Sequence, residues 1–225
     1  MSKPSADAPA GAEAAAAAAI TAEPRWPAIL AVLANGALDF LLPEQLRFGP
    51  AWLLITMVSM LLVPTVIARR TGRDRLNQVL GHAVAGIVTA SMVWSLGLLI
   101  MRLPAHKDSP QELLRAATTL WVANILVFAS WYWRLDAGGP HARDLRETHS
   151  AGAFLFPQML LPGKQARQWR PGFVDYLFLA FNTSTAFSPT DVPVLSRWAK
   201  AMMMVQALIS LAAVALIAAR AVNIL

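Results

Sequence analysis

Of 225 residues, 56% are hydrophobic and 14% charged, a balance beyond that of an ordinary soluble domain, which implies a membrane solvent. Lys and Arg number 19 against 13 Asp and Glu; they fall between apolar runs rather than on one face, so they read as topology signals and nucleic acid is excluded as a partner. With no Cys, disulfides, a thiol nucleophile and thiolate metal sites are excluded as well.

Residues 1–24 are rich in Ala, Pro and acidic side chains and have nothing bulky to bury, so a disordered tail is expected. Ala14 to Ile20 is short, weakly apolar and preceded by Asp7 and Glu13, which argues against a cleaved secretory signal. Residues 25–135 read as a four-helix membrane region. Phe48 to Ala68, Leu76 to Met101 and Ala116 to Trp133 are uncharged runs long enough to cross about 30 Å of hydrocarbon. Trp26 to Leu42 is shorter and carries Asp39, but Pro24 and Pro43 punctuate its ends. Residues 136–171 form a loop, within which Ala153 to Leu161 is apolar yet too short to cross and is expected at the interface or beneath the bundle. Residues 172–225 hold a short membrane helix and a final span, Ala201 to Ala219. The fold class is therefore all-α: a polytopic helical membrane protein with five spans and a short sixth membrane element, in contact with the lipid bilayer.

Arg69, Arg70, Arg73 and Arg75 make the loop between the second and third spans strongly basic, which puts it and the amino-terminus on the cytoplasmic side. The sixth element, Tyr176 to Thr190, would cover about 22 Å as a helix, marginal for a span. Whether it crosses or re-enters moves Arg197, Lys200 and Arg220 between sides without upsetting the charge balance. A crossing helix is the simpler expectation, because irregular backbone at membrane depth survives only when buried in protein or lining water.

This element leads into the final helix through a hydroxyl-rich stretch, an order similar to a channel pore loop. A potassium-type filter is excluded on backbone grounds, since it needs repeated glycines and this chain has none after Gly172. What survives is a candidate polar path lined by Thr183, Ser184, Thr185 and Ser188 with Asp191 at its mouth, joined by the membrane-depth residues Asp39 and His82. Against this stands the ordinary use of Ser and Thr to bond their own helix or a neighbour. Asp39 shares a face with Asn35, four residues back, and either looks into the bundle or reaches the outer interface. His82 is expected to make a hydrogen bond between helices, and Asn124 and Gln206 to act as packing glue. Asp175 fits a helix cap.

Catalytic signatures are missing, so no catalytic, cofactor-binding or metal-ligating residue is nominated and an enzyme is not expected. His141, Asp144, Glu147 and His149 cluster, but the interleaved Arg143 and Arg146 favour a solvated mixed-charge segment over a metal site. Small residues at Ala207, Ala212, Ala213, Ala215, Ala218 and Ala219 suit close helix approach in a homo-oligomer. Met202, Met203 and Met204 read as filler.

FASWYWRLDAGGP, FLFPQ and the block from Asp175 to Asn223 carry a resemblance to a bacterial membrane-protein family, domain of unknown function 1345. Its carboxyl-terminal pattern is matched by Asp175, Tyr176, Thr183, Thr185, Thr190, Asp191, Val192, Arg197 and Asn223; Pro193 and the Ala-rich tail depart from it. The resemblance implies an integral protein of a bacterial inner membrane and no particular activity. Two functional classes remain: a small channel-like or transport unit, and a structural or accessory membrane protein with no transported substrate.

Overall fold

The computed structural model describes residues 23–103, 109–145, 152–162, 169–186 and 191–222, with side chains described as far as residue 219. Among the described residues the helices are α1 (Trp26–Leu38), α2 (Ala51–Arg70), α3 (Asp74–Arg102), α4 (Pro110–Leu135), the short α5 (Pro140–Asp144), α6 (Phe173–Thr185) and α7 (Arg197–Val222). Of these, α2, α3, α4 and α7 are long and apolar enough to cross a membrane. α1 runs on through a 3-10 turn, Asp39–Leu41, as a shorter apolar helix.

Local chemistry sets the boundaries. Ser109 begins α4 with reciprocal bonds: its Oγ accepts from the Glu112 N–H at 3.2 Å, and the Glu112 carboxylate accepts from the Ser109 N–H at 3.1 Å. α2 ends where the Arg73 N–H reaches back to the Ala68 carbonyl at 2.8 Å, a closure that Gly72 permits with φ of +67°. The chain then reverses directly into α3. At the end of α4, Gly139 takes φ of +94°, and a Cβ there would lie 2.9 Å from the Arg134 carbonyl oxygen, so the turn into α5 requires glycine.

α4 is the hub, packed on α1, α3, α6 and α7 and the most buried of the long helices. One end of the bundle is rich in arginine. There α1 starts at Arg25, α2 ends at Arg70, α4 ends at Arg134 and Leu135, and Arg143 sits on α5. Glu23 is fixed at this end by several hydrogen bonds, so the expected tail boundary at residue 24 is too late; residues 1–22 lie outside the described set. The segment from Ala153 packs beneath the bundle: Ala153, Phe154 and Phe156 are buried, and the Phe154 ring meets Tyr132, Tyr176 and Trp198 edge-on at 5.3, 6.1 and 6.2 Å.

α6 starts beside the end of α4, with Phe173 against Trp133, and runs inward until Phe181 meets Trp121, so it is antiparallel to α4. α7 also starts at the arginine-rich end, with Trp198 on Phe154, and reaches Asn124 through Ser210 farther along. α6 and α7 therefore run the same way, and the chain between them must return. A two-rung antiparallel pairing fixes that return: the Leu155 N–H bonds the Pro193 carbonyl at 3.0 Å and the Leu195 N–H bonds the Ala153 carbonyl at 2.7 Å. This long-range backbone pairing, which local hydropathy does not encode, brings the chain after α6 back to the end of the bundle at which α6 starts. At 13 residues α6 is about 20 Å long, less than the hydrocarbon thickness.

Single cysteines test this arrangement in a chain that has none of its own. Leu161→Cys and Leu195→Cys, both at exposed positions, are expected to react with an impermeant thiol reagent from one side of oriented vesicles, and Phe48→Cys from the other. Labelling of Leu195→Cys together with Phe48→Cys would contradict a return.

Candidate functional site

Three polar centres lie within the bundle. The first joins α4, α6 and α7 around Gln206, which is fully buried. Its amide nitrogen donates to the Ala180 carbonyl at 2.7 Å and to Ser184 Oγ at 2.8 Å, and its Oε1 accepts from the Tyr132 hydroxyl at 2.5 Å. Asn124 Nδ2 donates to the Gln206 carbonyl at 3.1 Å and to Ser210 Oγ at 2.8 Å. The Asn124 Oδ1 is buried without a partner among the described residues; the remaining polar pairs cross from helix to helix, as such pairs do in lipid, where the hydrophobic effect between helices is absent. Asn124 and Gln206 are thus joined as helix-to-helix contacts.

The second centre closes the arginine-rich end. Glu23 accepts from Arg25 at 2.7 Å, from the Trp133 indole N–H at 2.7 Å, from the Phe173 N–H at 2.6 Å and, more distantly, from Arg143 at 3.5 Å. Burial raises the Glu23 carboxyl above its ordinary range, while these four donors act in the opposite direction. Arg25 also pairs with Asp144. Arg143, buried, donates to the carbonyls of Trp133 at 2.7 Å and Asp136 at 2.9 Å, and its guanidinium lies over the Tyr176 ring at 5.0 Å. Asp136 accepts from the Ala153 N–H and the Tyr176 hydroxyl. Asp175 accepts from the Gly172 N–H at 2.7 Å, the capping role its position suggests.

The third centre is a small void of about 20 Å³ between α1, α3 and α4, where Asn35, Asp39, Ser91, Ser95 and Thr119 are the polar lining groups. Asp39 and Asn35 are each 5% exposed, so both are packed inside the bundle.

The residues nominated from sequence fall into separate neighbourhoods. Thr183 and Thr185 donate back to the Leu179 and Phe181 carbonyls at 2.8 and 2.9 Å, and Ser184 belongs to the Gln206 network. Asp191 is exposed, and Ser188 lies outside the described residues. Asp39 faces the α1 void, whose lining includes none of the α6 hydroxyls. His82 stacks on Trp131 at 5.9 Å, and its buried Nε2 has no hydrogen-bond partner, so the expected hydrogen bond through that atom is not made. His141 pairs with Asp74 at 3.2 Å, Asp144 with Arg25, and Glu147 and His149 lie outside the described residues; the described residues contain no cluster able to hold a metal. Sequence reasoning did not single out Glu23, Asp136 or Ser95, and it placed Arg143 in a solvated segment, whereas Arg143 is buried. Glu23 adjoins a low-complexity tail, and a lone Ser in an apolar helix carries no signal of what it faces.

The charged cluster gives a stability test. Glu23→Ala leaves Arg143 and the Trp133 indole short of an acceptor in a buried setting, and it is expected to destabilise the purified protein by about 3–5 kcal/mol in denaturant unfolding. Thr185→Val, at an exposed position, is expected to change stability by less than about 0.5 kcal/mol.

Comparison with protein-family models, with curated proteins and with solved structures finds no match to this chain.

Proposed function

We propose that this protein is a small channel-like or transport unit of a bacterial inner membrane, built around the re-entrant element formed by α6 and its return. The observation that carries the reading is the parallel course of α6 and α7 with the chain between them pinned back at residues 153–155. Broken or half-length helices at membrane depth are tolerated where they are buried in protein or line water, and in transporters and channels they mark the permeation or binding region. α6 ends partway along α4, beside Trp121, with its last residue Thr185 and the following Ala186 exposed, and that end of a helix carries about half a negative charge, which favours a cation. Thr185 and Asp191, both exposed, flank the turn-back in the chain.

The arginine-rich end is assigned to the cytoplasm by the positive-inside rule, with the amino-terminus on that side. A homo-oligomer that covers the exposed face of α6 at Val174, Phe178 and Phe181 would shield the return from lipid. Membership of the family catalogued as domain of unknown function 1345 belongs to the same proposal, supported by the Asp175-Tyr176 start and the Thr190-Asp191 step.

The alternative, a structural or accessory membrane protein, draws support from one observation: the hydroxyls of Thr183, Ser184 and Thr185 are all spent on helix carbonyls or on Gln206. Reconstitution separates the two. Liposomes containing the full chain are expected to show cation flux that Asp191→Asn reduces severalfold. No flux under any cation or anion gradient would favour the accessory role.

A further inference from the structure

We infer that the void beside Asp39 is a binding site for one dehydrated monovalent cation, with sodium the best fit. The void is about 20 Å³, enough for a single water-sized occupant. Its polar lining is acceptor-rich. The Asn35 amide nitrogen donates to the Ala123 carbonyl at 3.2 Å, which leaves Asn35 Oδ1 as the free end of the amide. Thr119 gives its proton to the Arg115 carbonyl at 2.8 Å and keeps its lone pairs free. Ser95 is 0% exposed and its Oγ has no partner at all. Ser91 adds a fourth neutral oxygen, and Asp39 the only charge in the lining.

A carboxylate shut into a bundle with neutral oxygens around it needs a cation or a proton. The charge of Arg47 reaches Asp39 only at a distance: its guanidinium donates its hydrogen bonds to the carbonyls of Leu42 at 2.8 Å and Phe40 at 3.3 Å and takes no part in the lining. Arg115 faces the neighbouring groove rather than the void. One carboxylate balances one positive charge; a divalent ion would be left with excess charge in a low-dielectric site and ordinarily recruits more carboxylates. The small size favours sodium over potassium. An open, largely apolar groove of about 470 Å³ between α1 and α4 adjoins the void, with Leu38 and Thr119 lining both.

The site is independent of the re-entrant element, so its test does not depend on transport. The full-length protein in lipid nanodiscs would be unfolded thermally while sodium chloride replaces choline chloride at constant ionic strength. A cation bound only by the folded state raises the midpoint in a saturable way. That rise is expected with sodium, to be weaker with potassium, to disappear in Asp39→Asn and to persist in Glu44→Gln, which changes an exposed carboxylate outside the lining. Ser95→Ala is expected to raise the half-saturating sodium concentration about tenfold, which keeps the test decisive if Asp39→Asn folds poorly. Equal midpoints in sodium and choline for the native chain would overturn the inference, leaving a protonated Asp39 beside a water. Sodium binding without flux supports the site and tells against the transport reading, whereas flux with no saturable sodium effect does the reverse.

Discussion

Hydrocarbon offers no hydrogen bonds, so a polar group carried into the bundle is costly unless it finds a partner inside the protein. The Gln206 amide shows how far the fold depends on that constraint. One side chain at the middle of the α4, α6 and α7 contact uses both of its N–H groups and its carbonyl oxygen on α4 and α6 atoms. It thereby fixes the rotation of α7 and the depth to which α6 is inserted. Asn124 and Ser210 repeat the device one turn farther along. The same requirement explains the arginine-rich end, where Glu23, Arg25, Arg143, Asp136 and Tyr176 tie the start of α1, the end of α4 and the start of α6 into one charged cluster.

These two polar centres bracket α6 from both ends. At its start, Phe173 N–H bonds Glu23 and the Tyr176 hydroxyl bonds Asp136; at its finish, Ser184 Oγ bonds Gln206. A helix of about 20 Å held in this way is fixed in its position along the bundle. Its return is then closed by backbone pairing with the 153–155 segment, itself buried under the bundle by the ring contacts of Phe154. Insertion, return and the packing of the loop beneath are one cooperative arrangement.

Much of this was legible in the sequence, for identifiable reasons. The four long helices stand out because charges delimit them, and the arginine-rich end stands out because four arginines crowd a short loop. Asn35 and Asp39 announce a shared face through their four-residue spacing. The course of residues 186–196 was not legible, since Arg197, Lys200 and Arg220 satisfy the charge rule on either side and a hydroxyl-rich stretch suits both a span and a return. The deciding contact pairs segments about 40 residues apart in the chain, beyond any helical or strand period. Glu23 was hidden by its neighbours: an acidic residue after an Ala-rich run looks like tail until Arg143 and Trp133 are placed beside it. Ser95 was hidden by its helix, because only the void opposite distinguishes it from ordinary packing glue.

The central claim is that α6 and α7 start at the same end of the bundle, and a disulfide tests it most directly. Residues 154 and 194 face each other between the two backbone hydrogen bonds of the return, where antiparallel Cα atoms approach to about 4.5 Å. Phe154→Cys with Val194→Cys, in a chain otherwise free of cysteine, is expected to form an intramolecular disulfide under mild oxidation in native membranes. Two free thiols that remain reactive, with no cross-link within the chain while the protein stays folded, would place Val194 across the membrane and contradict the account.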